Sequence, residues 1–217
     1  MAGPRALINM NDNFGGGTAI TRNLLFDSLL ETHDHGPYNS WDRLPYITTV
    51  RNGTPSMVPA FNHIDSNMIF GNGGEDGLDT DDGTDMLNAT NNVLYLCGLW
   101  KTDFGGHTKT YSGNLDIYGL SRSCGPSGQA SKYERDGSTD VFYNNTCVNS
   151  PSNVLNCNLV TTAVIHDNTY YVTNGTGKDA VCPGNGDGKL EHGSYEYPLS
   201  EATTGKILAQ AKQILGL

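Results

Sequence analysis

A short unit, an asparagine followed by apolar residues, recurs along this chain. Successive copies lie 44, 25, 22, 31 and 23 residues apart. A near-constant period of this size is typical of repeat architectures, in which each copy stacks on the next. We therefore predict that each copy is a short strand about 4.8 Å from its equivalent, with the asparagine at a left-handed turn or in a side-chain ladder. The copies begin at Asn23, Asn67, Asn92, Asn114 and Asn145, with a weaker one at Asn168.

The composition favours short strands joined by many tight turns. The chain has 217 residues, of which 27 are glycine. Glycine and asparagine tolerate the positive φ angles that such turns need. The predicted fold class is all-β, a right-handed parallel β-helix (a solenoid) with a C-terminal amphipathic helix. The alternative is an antiparallel sandwich, for which Asn52-Gly53 and Asp76-Gly77 would supply hairpin turns.

The repeat and its interruptions predict two parts. Residues 1–198 are predicted to form the coils of the β-helix, with a proline-rich projecting loop at 37–62 and an irregular segment at 174–198. Residues 199–217 are predicted to form a helix that caps the coils, because apolar residues follow a helical spacing there. The first coil starts within a few residues of Met1, which predicts missing upstream coils. The helical face consists of Ile207, Leu208, Ala211, Ile214 and Leu215.

Charge and cysteine content narrow the functional classes. The net charge of −10 argues against nucleic acid and anionic membranes as partners. No stretch approaches the roughly 18 apolar residues of a membrane span. The five cysteines show no zinc-ligand spacing, and an odd number leaves at least one outside any internal disulfide. We predict an extracellular protein whose signal peptide is absent from this chain, with glycosylation sequons at Asn52, Asn88, Asn144 and Asn174.

Acidic residues fall into register when the turns after the strands are aligned. The segment around Asn9 then matches the one around Glu31 and the one around Asp79. Stacked like charges about 5 Å apart resist simultaneous ionisation, so such columns suggest a use. The two predicted columns are Asn9/Glu31/Asp79 and Asp12/Asp34/Asp82.

Three uses of these carboxylates compete. A retaining glycosidase needs two carboxyl groups about 5–5.5 Å apart, for which the pair would be Asp12 with Glu31 or Asp34. A calcium ion would accept oxygen ligands from one acidic turn. Neutralised scaffolding is the third use, with Arg5, Arg22 or Arg43 pairing the acids. The predicted calcium ligands are Asp76, Asp79, Asp81 and Asp82.

Aromatic and polar residues beside the columns suggest a sugar-binding surface. Trp41 and Tyr38 offer flat faces for sugar rings, whereas Asn39 and Arg43 offer partners for hydroxyl groups. A tryptophan that only anchors its own loop is the competing interpretation. The predicted substrate-binding residues are His33, His35, Tyr38, Asn39, Trp41, Arg43, Asp79 and Asp82.

These motifs resemble a known superfamily. The segments Gly3–Asp12, Asn23–Arg43 and Asp79–Gly83 resemble the C-terminal half of pectin-lyase-like right-handed parallel β-helix proteins. They are most similar to the β-xylosidase-type glycosidases and to uncharacterised extracellular relatives. The resemblance implies a retaining glycoside hydrolase acting on a plant- or algal-type polysaccharide or oligosaccharide, without a required cofactor. Asp12 would be the nucleophile, and Glu31 or its rival Asp34 the acid/base.

Two alternatives remain open. A calcium-dependent polysaccharide lyase or epimerase would need a base, for which Arg43 and His33 are the candidates. A non-catalytic extracellular sugar-binding or structural subunit is the alternative from another class. Its uncapped N-terminal end would self-associate by strand addition.

Overall fold

A computed structural model describes most of the chain. It comprises nineteen strands and one helix within residues 5–11, 16–31, 34–41, 48–49, 55–56, 61–71, 76–81, 83–98, 101–102, 108–119, 127–128, 140–149, 164–173, 186–195 and 201–217. The strands are β1 (Ile8–Asn11), β2 (Ala19–Thr21), β3 (Leu24–Leu25), β4 (Tyr38–Trp41), β5 (Thr48–Thr49), β6 (Pro55–Ser56), β7 (Asn62–Asp65), β8 (Met68–Phe70), β9 (Leu78–Thr80) and β10 (Leu87–Thr90). They continue with β11 (Val93–Tyr95), β12 (Lys101–Thr102), β13 (Lys109–Ser112), β14 (Leu115–Ile117), β15 (Ser127–Gly128), β16 (Val141–Tyr143), β17 (Thr146–Asn149), β18 (Val164–Thr173) and β19 (Gly186–Tyr195), and the helix is α1 (Glu201–Leu215).

Two runs of parallel strands make up the larger sheet. One run is β2-β7-β10-β13-β16 and the other is β3-β8-β11-β14-β17. The ten-residue strand β18 pairs with both β16 and β17, so the runs join into one path, and β19 adds to β18. Side chains alternate along the strands, as in β10, where Leu87 and Ala89 are buried and Asn88 is half-buried.

The turn between the two runs repeats the same geometry at every level. The residue before each ladder asparagine has a positive φ, as at Ser66 (57°), Asn91 (52°) and Asn144 (53°). The following asparagine then points inward. Asn67 donates from Nδ2 to Asn92 Oδ1 at 3.0 Å, and Asn92 donates in the same way to Asn114 at 3.0 Å. The same bond continues along the stack, from Asn23 to Asn67, from Asn114 to Asn145 and from Asn145 to Asn168.

The predicted stacking of the asparagine units is therefore confirmed. Leu24 pairs with Met68, and Val93 pairs with Met68 on one side and Leu115 on the other. Thr146 continues the series between Leu115 and Thr169. Every unit, including the weaker copy at Asn168, lies where the sequence repeat places it.

The core lies between the large sheet and a three-stranded parallel sheet, β1-β4-β9. Tyr38 and Leu78 enter the core from the small sheet, and both are almost fully buried. Ile64, Leu94 and Phe142 meet them from the large sheet. This core also encloses an ion pair, in which Lys109 Nζ lies 3.1 Å from Asp140 Oδ2 with the lysine fully buried.

Helix α1 covers an outer face of the large sheet. Ile207 is buried against Val93, Leu115 and Val148, which lie on neighbouring strands. Gln210 Nε2 donates to Thr146 Oγ1 at 2.9 Å. The helix and its end at Gly216 are as predicted, and Gly216 has the positive φ (72°) that commonly ends a helix. Its role as a cap stays a prediction.

The predicted fold class is wrong. The described residues form a mostly parallel arrangement of α/β type, with a large and a three-stranded parallel sheet, a parallel pair (β12-β15) and one helix, and not an all-β right-handed parallel β-helix. Strands of both runs belong to one continuous sheet path through β18, and α1 packs on its face. The repeat specified which strands are neighbours, because that depends on local pairing. The repeat does not determine how the segments between its copies complete the fold.

Two irregular segments and the sandwich alternative are corrected as well. The predicted loop at 37–62 contains β4, which is buried because Tyr38 packs in the core. The predicted irregular segment at 174–198 contains β19. Among the described strand pairs only β5 and β6 are antiparallel, which excludes an antiparallel sandwich for this part of the chain.

Candidate functional site

The outer face of the three-stranded sheet carries two columns of polar and aromatic residues. Asn9 pairs with Asn39, which pairs with Asp79. Two residues further along β1, Asn11 pairs with Trp41. Because side chains two apart share a face of a strand, these residues point away from the side on which Tyr38 enters the core.

These columns differ from the predicted ones. The partner of Asn9 and Asp79 is Asn39, whereas Glu31 lies in no strand and is exposed. Asp34 is also off the sheet, in a turn with φ of 74° and a side chain that is 88% exposed. The alignment failed because the chain between β1 and β4 contains β2, β3 and a further turn. The strand that pairs with β1 is therefore not the next apolar segment. Asp12 and Asp82 lie outside the described residues.

A pocket of about 290 Å³ opens on this face. Asn9, Asn11 and Trp41 come from the sheet, Asp81 follows β9, and Arg5 and His35 close one side. We call it the Trp41 pocket, lined by Arg5, Asn9, Asn11, His35, Trp41 and Asp81.

Arg5 and His35 form a hydrogen-bonded pair within the pocket. Arg5 Nη2 lies 3.0 Å from His35 Nε2 and 3.2 Å from Nδ1. His35 is buried, and its Nδ1 lies 3.9 Å from the exposed carboxylate of Asp34. The guanidinium group of Arg5 and the ring of His35 therefore lie together at the pocket.

Trp41 lies between polar groups on both neighbouring strands. Asn11 is its register partner on β1, and Asp81 follows β9 and is held by its backbone N–H bond to Ser40 O at 2.8 Å. Trp41 and Asp81 are both half-buried, whereas Asn11 is exposed. An indole face flanked by an amide and a carboxylate suits a ligand with alternating apolar and hydroxyl surfaces.

The other predicted substrate-binding residues are placed differently. Asn39 and Asp79 are buried and absent from the pocket lining, and Asn39 Nδ2 donates to Asp79 Oδ2 at 3.2 Å. They therefore support the face that carries Trp41 and do not line the pocket. Tyr38 belongs to the core. His33 and Arg43 lie outside the described residues.

Asn11 and Asp81 were not predicted as sugar-binding residues. The alternation of β1 contained a usable signal, because Asn9 and Asn11 are two apart and share one face. The position of Asp81 beside Trp41 depends on pairing between β4 and β9, whose spacing no sequence repeat reveals.

The predicted calcium ligands do not assemble among the described residues. Within the described ranges, no group of three or more His, Cys, Asp and Glu side chains is arranged to hold a metal ion. Asp76 and Asp79 are buried, whereas Asp81 lines the pocket.

Within the described residues, no helix has the length and apolar character of a membrane span.

The two cysteines within the described residues differ. Cys147 is disulfide-bonded, whereas Cys97 is free and fully buried. Burial raises the pKa of the Cys97 thiol well above its usual value, and the nearby carboxylates of Asp116 and Asp76 act in the same direction. Cys97 is therefore a core residue and not a nucleophile at neutral pH.

No protein-family model, curated protein or solved structure matches this chain. The resemblance to pectin-lyase-like proteins and β-xylosidase-type glycosidases stays a prediction.

Proposed function

We propose that this protein is a carbohydrate-active protein that binds an oligosaccharide in the Trp41 pocket. The observation that carries the proposal is the half-buried Trp41 between Asn11 and Asp81. A sugar ring would stack its C–H face on the indole, and its hydroxyl groups would bond to the amide and the carboxylate. Arg5 would donate to a ring oxygen, a hydroxyl or a uronate carboxylate.

The binding test compares wild type with Trp41→Ala by calorimetric titration with xylo-oligosaccharides and with uronate oligomers. Trp41→Ala is expected to weaken binding at least tenfold, which corresponds to about 1.4 kcal/mol. Trp100→Phe replaces the other tryptophan and is expected to bind like wild type. Equal affinity in wild type and Trp41→Ala would remove the pocket from the proposal.

Retaining glycoside hydrolysis is the catalytic form of this proposal. Asp81 supplies a carboxylate inside the pocket, and Asp12 directly follows the pocket residue Asn11 in the chain. Asp34 is a better acid/base candidate than Glu31, because it adjoins the pocket residue His35. A reaction of this kind needs two carboxyl groups about 5–5.5 Å apart on either side of the bond that breaks.

The activity test screens wild type against four substitutions on the same oligosaccharides. Asp12→Asn is expected to abolish turnover, and Asp34→Asn to slow it by about 10²-fold or more, as loss of a general acid does. Glu31→Gln tests the rival acid/base residue, and Asp81→Asn tests the carboxylate that lines the pocket. Binding without turnover by wild type would leave the non-catalytic sugar-binding form as the function. Chelation of metal ions with EDTA is expected to leave sugar binding unchanged. A loss of binding would favour the alternative of a calcium-dependent lyase or epimerase.

The extracellular location belongs to the same proposal. It is supported by the disulfide at Cys147, because structural disulfides persist in oxidising compartments. Asn144 is exposed in its turn, and Asn88 is half-buried in β10. Asn52 and Asn174 lie outside the described residues. Peptide mapping of the secreted protein tests all four positions.

A further inference from the structure

A second cavity lies between α1 and the turns that precede the ladder asparagines. Its volume is about 370 Å³, near the lower end of the ~300–1,000 Å³ range of ligand pockets. The turns contribute Ser66, Asn91 and Asn144, β17 contributes Thr146, and α1 contributes Gln210 and Gln213. We call it the turn–helix groove. It is separate from the Trp41 pocket, with which it shares no lining residue.

Hydrogen bonds hold the polar groups of the groove in place. Asp65, next to the groove, accepts hydrogen bonds from Ser66 Oγ at 2.8 Å and from Asn91 Nδ2 at 3.2 Å. On the opposite wall, Gln210 Nε2 donates to Thr146 Oγ1 at 2.9 Å. These bonds hold Ser66, Asn91, Thr146 and Gln210 in place before any ligand arrives, which lowers the entropic cost of binding.

Gly113 shapes the groove next to Asn91. A Cβ at Gly113 would lie 2.7 Å from Asn91 Oδ1, closer than real Cβ contacts allow. The absent side chain leaves room for the amide oxygen of Asn91 inside the groove. Gly113 also has a positive φ of 66°. This angle alone does not require glycine, because equivalent turns contain residues with side chains, such as Ser66 and Asn144.

The chemistry of the lining selects the kind of ligand. Among the described residues, the groove is lined by amides, hydroxyls, Gly113 and the apolar Ile214, without a charged side chain. Amides and hydroxyls donate and accept hydrogen bonds, as the hydroxyl groups of sugars do. The carboxylate of Asp65 accepts from Ser66, Thr90 and Asn91, and its negative charge would repel an anionic ligand.

We propose that the turn–helix groove binds a neutral sugar residue. Two sources share this chemistry. One is a glycan attached to Asn144, whose sequon residues Asn144 and Thr146 both line the groove. The other is a separate neutral oligosaccharide. The proposal does not depend on binding in the Trp41 pocket.

The attached source is tested on the full chain secreted from a glycosylating host. Peptide mass spectrometry is expected to find a glycan on Asn144. Its enzymatic removal is expected to increase hydrogen exchange at least threefold in α1 around Gln210 and Gln213, where the sugar would lie. A glycan whose removal leaves this exchange unchanged would count against its seating in the groove.

The separate source is tested on the deglycosylated full chain with xylohexaose and maltohexaose, monitored by NMR. Saturable shifts in α1 are expected, weakened at least fivefold by Gln213→Ala and by Asn91→Ala. Lys212→Ala, an exposed neighbour that does not line the groove, and Trp41→Ala are expected to leave them unchanged. The absence of both a seated glycan and saturable binding, with all variants folded by circular dichroism, would overturn the proposal.

Discussion

Each asparagine of the ladder after Asn23 uses its whole side chain. Asn92 Nδ2 donates both to Ile64 O at 2.8 Å and to Asn114 Oδ1 at 3.0 Å. Its Oδ1 accepts from the backbone N–H of Asn67 at 3.0 Å and from the Asn67 amide at 3.0 Å. Only a side chain that donates and accepts within one planar group can occupy this buried position without leaving polar atoms unsatisfied.

Asn92→Ala is expected to lower the free energy of unfolding by about 3 kcal/mol, because buried donors and acceptors lose their partners. Asn92→Asp is expected to be at least as harmful, since a carboxylate cannot donate to Ile64 O. Urea denaturation at neutral pH measures both. Asn23→Ala, at the half-buried end of the ladder, is the matched control and is expected to cost less. Equal losses at the two positions would contradict the ladder's energetic role.

The carboxylate of Asp65 makes the stability of the fold depend on pH. Partial burial tends to raise the pKa of Asp65, but hydrogen bonds from Thr90, Ser66 and Asn91 outweigh it and hold the pKa below its usual value. The ionised group therefore stabilises the fold above its unfolded pKa of about 3.9 and loses this contribution as the pH falls through the lowered pKa.

Asp65→Asn is expected to remove this pH dependence. Because Asp65 is only partly buried, solvent screening limits the effect at pH 7 to about 1 kcal/mol or less. Urea denaturation of both proteins between pH 7 and pH 3 measures it. The stability difference is expected to shrink on acidification, and a difference that grows would contradict the assignment.

Among the elements, α1 owes its position to one apolar face. Ile207 is buried at 7% exposure, whereas its neighbour Leu208 is 53% exposed. Isolated helices of 15 residues are marginal in water, so packing against Val93, Leu115 and Val148 must hold this one.

Ile207→Ala is therefore expected to destabilise the protein by about 2–3 kcal/mol, as large-to-small core substitutions do. Leu208→Ala is its matched control and is expected to change stability by no more than about 0.5 kcal/mol. Thermal unfolding followed by circular dichroism measures both. Comparable losses at Ile207 and Leu208 would show that the helix packs by another face.

Sequence reasoning succeeded for the elements with a local signal and failed where pairing is distant. The helical spacing of Ile207, Ala211 and Ile214 revealed α1, and a repeated asparagine revealed the ladder. The three-stranded sheet has no such repeat, because the residue type at equivalent positions changes from asparagine (Asn9 and Asn39) to aspartate (Asp79). The buried pair of Lys109 and Asp140 was equally hidden, since charged residues are normally exposed.

At the scale of the whole molecule, the N-terminal strands are edge strands within the described residues. The path of the large sheet terminates at β2 and β3, and β1 is an edge of the small sheet. Leu24 and Leu30 nearby are 51% and 62% exposed. Edge strands with exposed apolar side chains are templates for pairing with another chain.

Self-association through this edge is therefore expected. Sedimentation velocity should show species larger than a monomer that grow with concentration, and Leu24→Lys should shift them toward the monomer. Leu208→Lys, an exposed leucine on α1, is the control and should leave association unchanged. A wild-type monomer across the whole concentration range would contradict this use of the edge.

The central claim, that sugar stacks on Trp41, is tested most directly by tryptophan fluorescence. The chain has two tryptophans, so Trp100→Phe leaves Trp41 as the sole reporter. Titration of this variant with xylo-oligosaccharides and uronate oligomers is expected to give a saturable change in the Trp41 emission, weakened about tenfold by Asn11→Ala. Unchanged Trp41 emission under sugar concentrations at which calorimetry detects binding would contradict the claim.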